Sequence, residues 1–156
     1  MQPTIRVATP SDAAAIARLT AELGYPLDEG AAAQRIAELG AMEREQLLVA
    51  EADGAVVAWI HGAMRVSVTA PPTVEIVGLV VEQERRGEGI GSHLVRAIEA
   101  WAMERGAERL RVRSQVKRVE SHAFYLRRGY EETKRQACFE KRLSKEGVDE
   151  GEPEQS

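Results

Sequence analysis

The stretch LVVEQERRGEGIGSHL, Leu79 to Leu94, passes from an apolar, β-branched run through three alternate glycines into a helical pattern. Glycine is a poor helix former, so Gly87, Gly89 and Gly91 at a helix start call for a reason other than propensity. The first turn of a helix leaves backbone N–H groups unpaired, and the helix dipole adds partial positive charge there. Anions bind such ends. Glycines let the backbone approach a ligand closely and reach positive φ, and Arg86 adds a charge-assisted contact. Two nucleotide patterns fail. The dinucleotide fingerprint needs a glycine at the sixth position counted with Gly87 as the first, where Ser92 stands, and the mononucleotide loop needs a Gly-Lys-Ser/Thr that is missing.

Outward from this stretch the chain alternates strand and helix signals. Val74 to Val81 is almost wholly apolar, as a central strand is, with Glu75 its one charge. Ile90, Leu94, Ile98 and Trp101 form a helical stripe that ends at Gly106, and Leu110 to Arg113 alternates as a strand. Val119 to Arg128 reads as a helix closed by Gly129, and Tyr130 to Leu143 as a last strand or strand pair. Upstream, Thr4 to Ala8 is a first strand, and Ser11 or Asp12 caps a helix carrying Ala15, Ile16, Leu19 and Leu23. Gly24-Tyr25-Pro26 stops it, and Asp28 to Gly40 is a second helix. Leu47 to Glu51 and Ala55 to Thr69 are strands joined by an Asp53-Gly54 hairpin turn. The order β-α-α-β-β-β-α-β-α-β predicts an α/β sandwich with a mixed sheet.

A chain of 156 residues suits one domain. We expect that domain over residues 1–143. The formal charge of −4 resides wholly in residues 144–156, where five acids oppose Lys145 and almost nothing is apolar, so this tail is expected to be disordered. The body is neutral, but Arg105 to Arg142 is rich in base, which suits an anionic ligand as well as a solvated face. That stretch lacks the interleaved aromatics of a single-strand nucleic-acid binder. No apolar run approaches the ~20 residues of a membrane span, and the start has no signal-peptide pattern, so the expected location is cytoplasmic. The lone Cys138 excludes an internal disulfide and reads as packing. His61, His93 and His122 lack ligand spacing, so no metal is expected. Trp59 and Trp101 read as core.

Arg86-Gly87-Glu88-Gly89-Ile90-Gly91 resembles the coenzyme A pyrophosphate loop of the GNAT family of N-acetyltransferases. The whole run from Leu79 is similar to that family's strand-to-loop segment, with Gln83 where a proline is common. A second segment, His122-Ala123-Phe124-Tyr125-Leu126-Arg127-Arg128-Gly129-Tyr130, is similar to its FYxxxGF/Y helix end, and the likeness spans most of residues 4–143. It implies a GNAT fold: a mixed, twisted sheet of six or seven strands, about four helices on both faces, and splayed central strands. It implies acetyl transfer from acetyl-CoA to an amine by direct attack in a ternary complex. The donor would be held by the backbone of Leu79, Val80 and Val81, by Arg86, and by the amides of Gly87, Glu88, Gly89, Ile90, Gly91 and Ser92. Arg118, where an asparagine contacting the coenzyme is frequent, is a candidate phosphate contact instead. His122 is a candidate for contacting the coenzyme or assisting proton transfer, the alternative being a structural hydrogen bond.

Two proton transfers need residues. A protonated amine must lose a proton to attack, and the departing thiolate gains from receiving one. Glu75, a carboxylate in an apolar strand four residues before Leu79 and expected on the same face, is a candidate base; the alternative is a carboxylate satisfied by arginine. Tyr125 matches the family's tyrosine beside the thiol and is the expected acid. Tyr25, Asp28 and His61 are candidate acceptor contacts, although Asp28 equally suits a helix cap. The chain looks most like members acting on small amines, of the aminoalkylphosphonate and aminoglycoside type. A protein N-terminus or lysine as acceptor, and a non-catalytic acyl-CoA-binding regulatory domain, are the alternatives. The resemblance also implies a homodimer through the late strands; a nucleic-acid partner is least favoured and a membrane is not expected.

Overall fold

The computed structural model describes residues 2–113 and 119–143. The chain divides into two compact units, residues 1–113 and 114–156. The first holds strands β1 (Thr4–Val7), β2 (Glu45–Ala52), β3 (Ala55–Arg65), β4 (Thr73–Val81) and β5 (Arg109–Val112), with helices α1 (Ala13–Glu22), α2 (Glu29–Gly40) and α3 (Ile90–Glu104). The second holds α4 (Val119–Arg127). One sheet runs β1-β2-β3-β4-β5, antiparallel throughout except for the parallel β4–β5 pair.

Local chemistry explains the elements. Asp28 caps α2, its carboxylate accepting from the Ala31 N–H at 3.1 Å. Asp53 and Gly54 both have positive φ, 53° and 77°, as the tight turn of a twisted β2–β3 hairpin requires. Asp12 does not cap α1 directly. Its buried carboxylate accepts the Thr9 N–H at 2.9 Å and both terminal nitrogens of Arg6 at 2.8 Å, fixing β1 to the start of α1.

Helices cover both faces of the sheet. Ala13 and Ile16 of α1 and Ala32 and Ile36 of α2 pack with Val49, Leu47 and Trp59 on one face. On the other, α3 approaches so closely that a Cβ on Gly62 would lie 3.0 Å from Ile98 Cδ1. Leu19, Ile60, Leu94 and Ile98 are fully buried. Among the described residues, no helix is long and apolar enough to cross a membrane.

The fold class is the expected one, with differences in extent. Among the described residues five strands form instead of six or seven. No strand covers Tyr130 to Leu143, where Phe139 is 93% exposed. The run Glu131-Glu132-Thr133-Lys134-Arg135-Gln136 offers no alternate apolar face to bury, so burial does not favour a strand there. Cys138 lies exposed in this segment rather than packed. β3 stops at Arg65, and Val66 and Val68 beyond it are exposed. The expected tail, residues 144–156, lies outside the described residues.

Candidate active site

β4 carries one residue more than β3 can pair. Gly62 pairs with Ile76 and His61 with Gly78, which leaves Val77 as a β-bulge, half exposed. Gly78 is where the bulge closes onto the sheet: a Cβ there would lie 2.8 Å from the Trp59 ring, so only glycine fits beneath it. The bulge changes which side chains share a face. Directly opposed residues point the same way, so Leu79, opposite Ile60, lies on the α3 face with Ile76. Glu75, opposite Ala63, lies on the α1–α2 face. The expectation that Glu75 and Leu79 share a face is therefore corrected, because Val77 breaks the alternation between them.

Past the bulge, β4 is open on one side. Its pairing with β5 ends at Ile76–Val112, and among the described residues no strand lies beside Val77–Val81 on that edge. The Glu82 N–H donates to Val57 C=O at 2.8 Å. Hydrogen-bonded pairs alternate along an antiparallel ladder, so Val80–Trp59 and Gly78–His61 are also bonded pairs. The backbone groups of Leu79 and Val81 then point away from β3, toward the open edge.

The strand leads through a short 3-10 turn, Gln83–Arg85, into the glycine loop. Gly87 and Gly89 have φ of 89° and 85°, a region side chains rarely adopt, which is why glycine stands at both. Gly89 is the N-cap of α3, and no side chain caps this end. The His93 N–H to Gly89 C=O bond, 3.2 Å, begins the helical ladder. The amides of Ile90, Gly91 and Ser92 precede it, at the positive end of a 15-residue helix.

The two arginines before the loop differ in role. Arg85 meets Asp53 at 2.8 Å, Glu82 at 3.6 Å and Glu88 at 3.7 Å, tying the loop to the β2–β3 hairpin. Arg86 is exposed and makes no ion pair among the described residues. Glu88, expected only as a loop amide, also serves as a partner of Arg85. α1 braces the loop entrance: Arg18 donates to Glu82 at 2.8 Å and to Val56 C=O at 3.1 Å, and Glu22 accepts the Gln83 N–H at 3.3 Å.

On the α1–α2 face, Glu75 lies between two guanidiniums, Arg65 Nε at 3.2 Å and Arg113 Nε at 3.1 Å, with only 13% of its side chain exposed. His61 Nε2 lies 3.1 Å from Glu45 Oε1, both side chains about 15% exposed. The residue types alone do not reveal these partnerships, because each joins different strands in a register that the sequence leaves open. Tyr25 is half exposed just past α1, and Asp28 is occupied as a helix cap. A cleft of about 240 Å³ lined by Ile36, Leu39, Met42, Glu45 and Leu47 lies at the C-terminal end of α2 and does not include the glycine loop.

The second unit carries His122 and Tyr125 on α4. Tyr125 packs edge-on against Phe124 and Tyr130, with ring centroids 5.0 and 5.5 Å away. Burial pushes its phenol up to about 12, against the pull of the nearby Arg128 charge. It therefore keeps its proton at neutral pH. His122 is half buried three residues earlier. Arg118 lies outside the described residues.

A family model described as the Acetyltransferase (GNAT) family matches residues 14–130. The chain belongs to the GNAT acetyltransferase family. An aminoglycoside N(6')-acetyltransferase type 1 of Stenotrophomonas maltophilia is 34% identical over 141 residues, 88% of this chain and 92% of that protein. An aminoalkylphosphonate N-acetyltransferase of Salmonella typhimurium is 42% identical over 59 residues, 38% of each chain. The solved structure of an aminoglycoside 6'-N-acetyltransferase with a bisubstrate analog joining CoA to acetylneamine superposes with a TM-score of 0.81. That match has 20% identity and covers 92% of this GNAT chain and all of the other, a likeness of fold.

Proposed function

We propose that this GNAT protein moves acetyl from acetyl-CoA to a primary amine of a small molecule, by direct attack in a ternary complex. The observation that carries the reading is the open edge of β4. A bulge at Val77, a missing β5 partner and two outward-facing backbone pairs lead directly into an uncapped, glycine-bounded helix start. An extended arm ending in a pyrophosphate suits that sequence of features. The arm pairs with the β4 edge along Leu79 to Val81, and the diphosphate takes the amides from Gly87 to Ser92 with Arg86 beside them. The Leu79 N–H faces the open edge and is assigned to the thioester carbonyl, where it stabilises the developing oxyanion.

We assign the proton for the departing thiolate to Tyr125, whose phenol is protonated throughout the neutral range. Glu75 is assigned to holding Arg65 and Arg113, since two guanidiniums already occupy its charge. Arg118 and His122 remain proposed coenzyme contacts, and Tyr25, Asp28 and His61 proposed residues of the acceptor side. The small-molecule acceptor is supported by the 34% identity to an aminoglycoside acetyltransferase across nearly the whole chain.

The test is release of free thiol from acetyl-CoA with a panel of amines: neamine, 2-aminoethylphosphonate, polyamines, and lysine- or free-N-terminus peptides. Turnover with small amines alone supports the proposal. Turnover with peptides alone moves the acceptor to protein. Binding of coenzyme A without turnover on any amine leaves a binding domain and defeats the enzymatic reading.

A further inference from the structure

We propose that His61, oriented by Glu45, is the base that takes the proton of the acceptor ammonium. The proposal rests on the acetyl-transfer reading above and assigns the one proton transfer left without a residue. His61 lies directly opposite Gly78, the residue before Leu79, so its side chain is rooted beside the bulge where the thioester is placed. Opposed residues of a bonded pair have Cα atoms about 5.5 Å apart. Its Nε2 is 3.1 Å from the Glu45 carboxylate, which fixes the tautomer with Nε2–H donating and leaves Nδ1 with its lone pair. No hydrogen bond from Nδ1 to a described residue is present. A carboxylate behind an imidazole both orients it and stabilises the imidazolium that forms when Nδ1 takes a proton.

The surroundings favour His61 over Glu75. Both lie on the α1–α2 face of the sheet, Glu75 opposite Ala63 and His61 opposite Gly78. Glu75 is neutralised by Arg65 and Arg113, whereas His61 has one anionic partner and no cation bound to it among the described residues. The charged group paired with His61 is Glu45 from β2; Glu75 of β4, held by Arg65 and Arg113, lies on the same face of the sheet. The helical residues of the apolar cluster on this face, Ala13, Ile16, Ala17, Ala32, Ala33 and Ile36, carry no charge.

The protons balance. The acceptor ammonium loses one to His61 Nδ1, which passes it to water. The free amine attacks the thioester carbon, the C–N bond forms, and the C–S bond breaks. The second nitrogen proton leaves as the tetrahedral adduct collapses, and the thiolate gains one from Tyr125, which is reprotonated by that nitrogen proton.

The experiment measures thiol release from acetyl-CoA with neamine and 2-aminoethylphosphonate between pH 6 and 10, alongside coenzyme A affinity by calorimetry. For His61→Gln, kcat/KM falls on the order of 10²-fold at pH 7, while coenzyme A affinity stays within about twofold. The wild-type rate levels off above its acid limb. The variant instead climbs about tenfold per pH unit toward the amine's own pKa of about 10, because solution must supply the free amine. For Glu45→Gln, kcat/KM falls about tenfold with coenzyme A affinity within about twofold, since the imidazole has lost the carboxylate that orients it. A His61→Gln enzyme with the wild-type rate and profile overturns the proposal, as does a loss matched by an equal loss of coenzyme affinity. Should His61→Gln not fold, a Glu45→Gln enzyme with wild-type kcat/KM overturns it. A wild-type protein that binds coenzyme A and turns over no amine defeats the functional reading itself, a result distinct from these.

Discussion

The two halves of β4 use the same kind of residues to opposite ends. Thr73 to Ile76 is paired on both edges, to β3 and to β5, and its one charge is held by two arginines. Val77 to Val81 is just as apolar, yet among the described residues it is paired on one edge only, and it begins with a bulge. Backbone groups need hydrogen-bond partners, so a strand edge left without one among the described residues suits a ligand that completes it. The first half is a structural anchor for the second.

The difference between the halves can be broken most severely at their junction. In Gly78→Val a side chain must occupy space 2.8 Å from the Trp59 ring, so the bulge or the ring has to move. The expected cost is about 2–3 kcal/mol of stability, read by urea unfolding, together with loss of most acetyl transfer. A variant that keeps wild-type stability would show that the ring is free to leave.

Next in size is Tyr125→Phe, expected to lower kcat by roughly 10²-fold with little change in KM for acetyl-CoA. The same variant has a stability signature. The folded phenol, at about 12, lies above the unfolded value near 10. Its contribution is thus fully present below pH 10 and lost as pH rises through 12. Alkaline unfolding of the phenylalanine variant should lack that decline, and an unchanged kcat would remove Tyr125 from the chemistry.

Arg86→Gln acts at the far end of the open half and is expected to raise KM for acetyl-CoA by about tenfold, from loss of one charge-assisted contact. Arg85→Gln provides the contrast: its bonds to Asp53, Glu82 and Glu88 make it a stability variant first. Equal effects of the two on KM would erase the division of labour between them.

The smallest effect is expected in the anchored half. Glu75→Gln should cost about 1 kcal/mol of stability, since both its arginines are well exposed, with kcat within about threefold. A hundredfold fall in kcat would return the base to Glu75 and take it from His61.

The glycine loop, the apolar β4 run and the α3 stripe were all legible in the sequence, because each rests on local chemistry. Gly87 and Gly89 need positive φ, and Leu94 and Ile98 need a buried face, whatever the strands beside them do. The bulge was not read. A continuous apolar run such as VEIVGLVV has no alternation for an extra residue to disturb, so Val77 leaves no mark. Gly78 was the available signal, since an isolated strand glycine points to a bulge or a close approach. The pairings of His61 with Glu45 and of Glu75 with Arg65 and Arg113 depend on cross-strand register. Even the Asp53-Gly54 turn could not fix that, because the β2–β3 register slips between Ala50 and Glu51. Between Tyr130 and Leu143, β-favouring residues such as Tyr130, Thr133 and Phe139 are scattered among charges, so they offer no continuous face to a sheet.

The bulge also makes β4 a parity device. Counting from Thr73, residues up to Ile76 obey one assignment of odd and even to the two helical layers, and residues from Gly78 obey the reverse. Removing any single residue between Ile76 and Leu79 would do more than shorten the strand. It would erase the bulge and flatten the edge on which the donor is proposed to lie, even though Ile76 and Leu79 would keep their partners Gly62 and Ile60 and so their face. Changes of length in this strand are therefore far less tolerable than changes of residue.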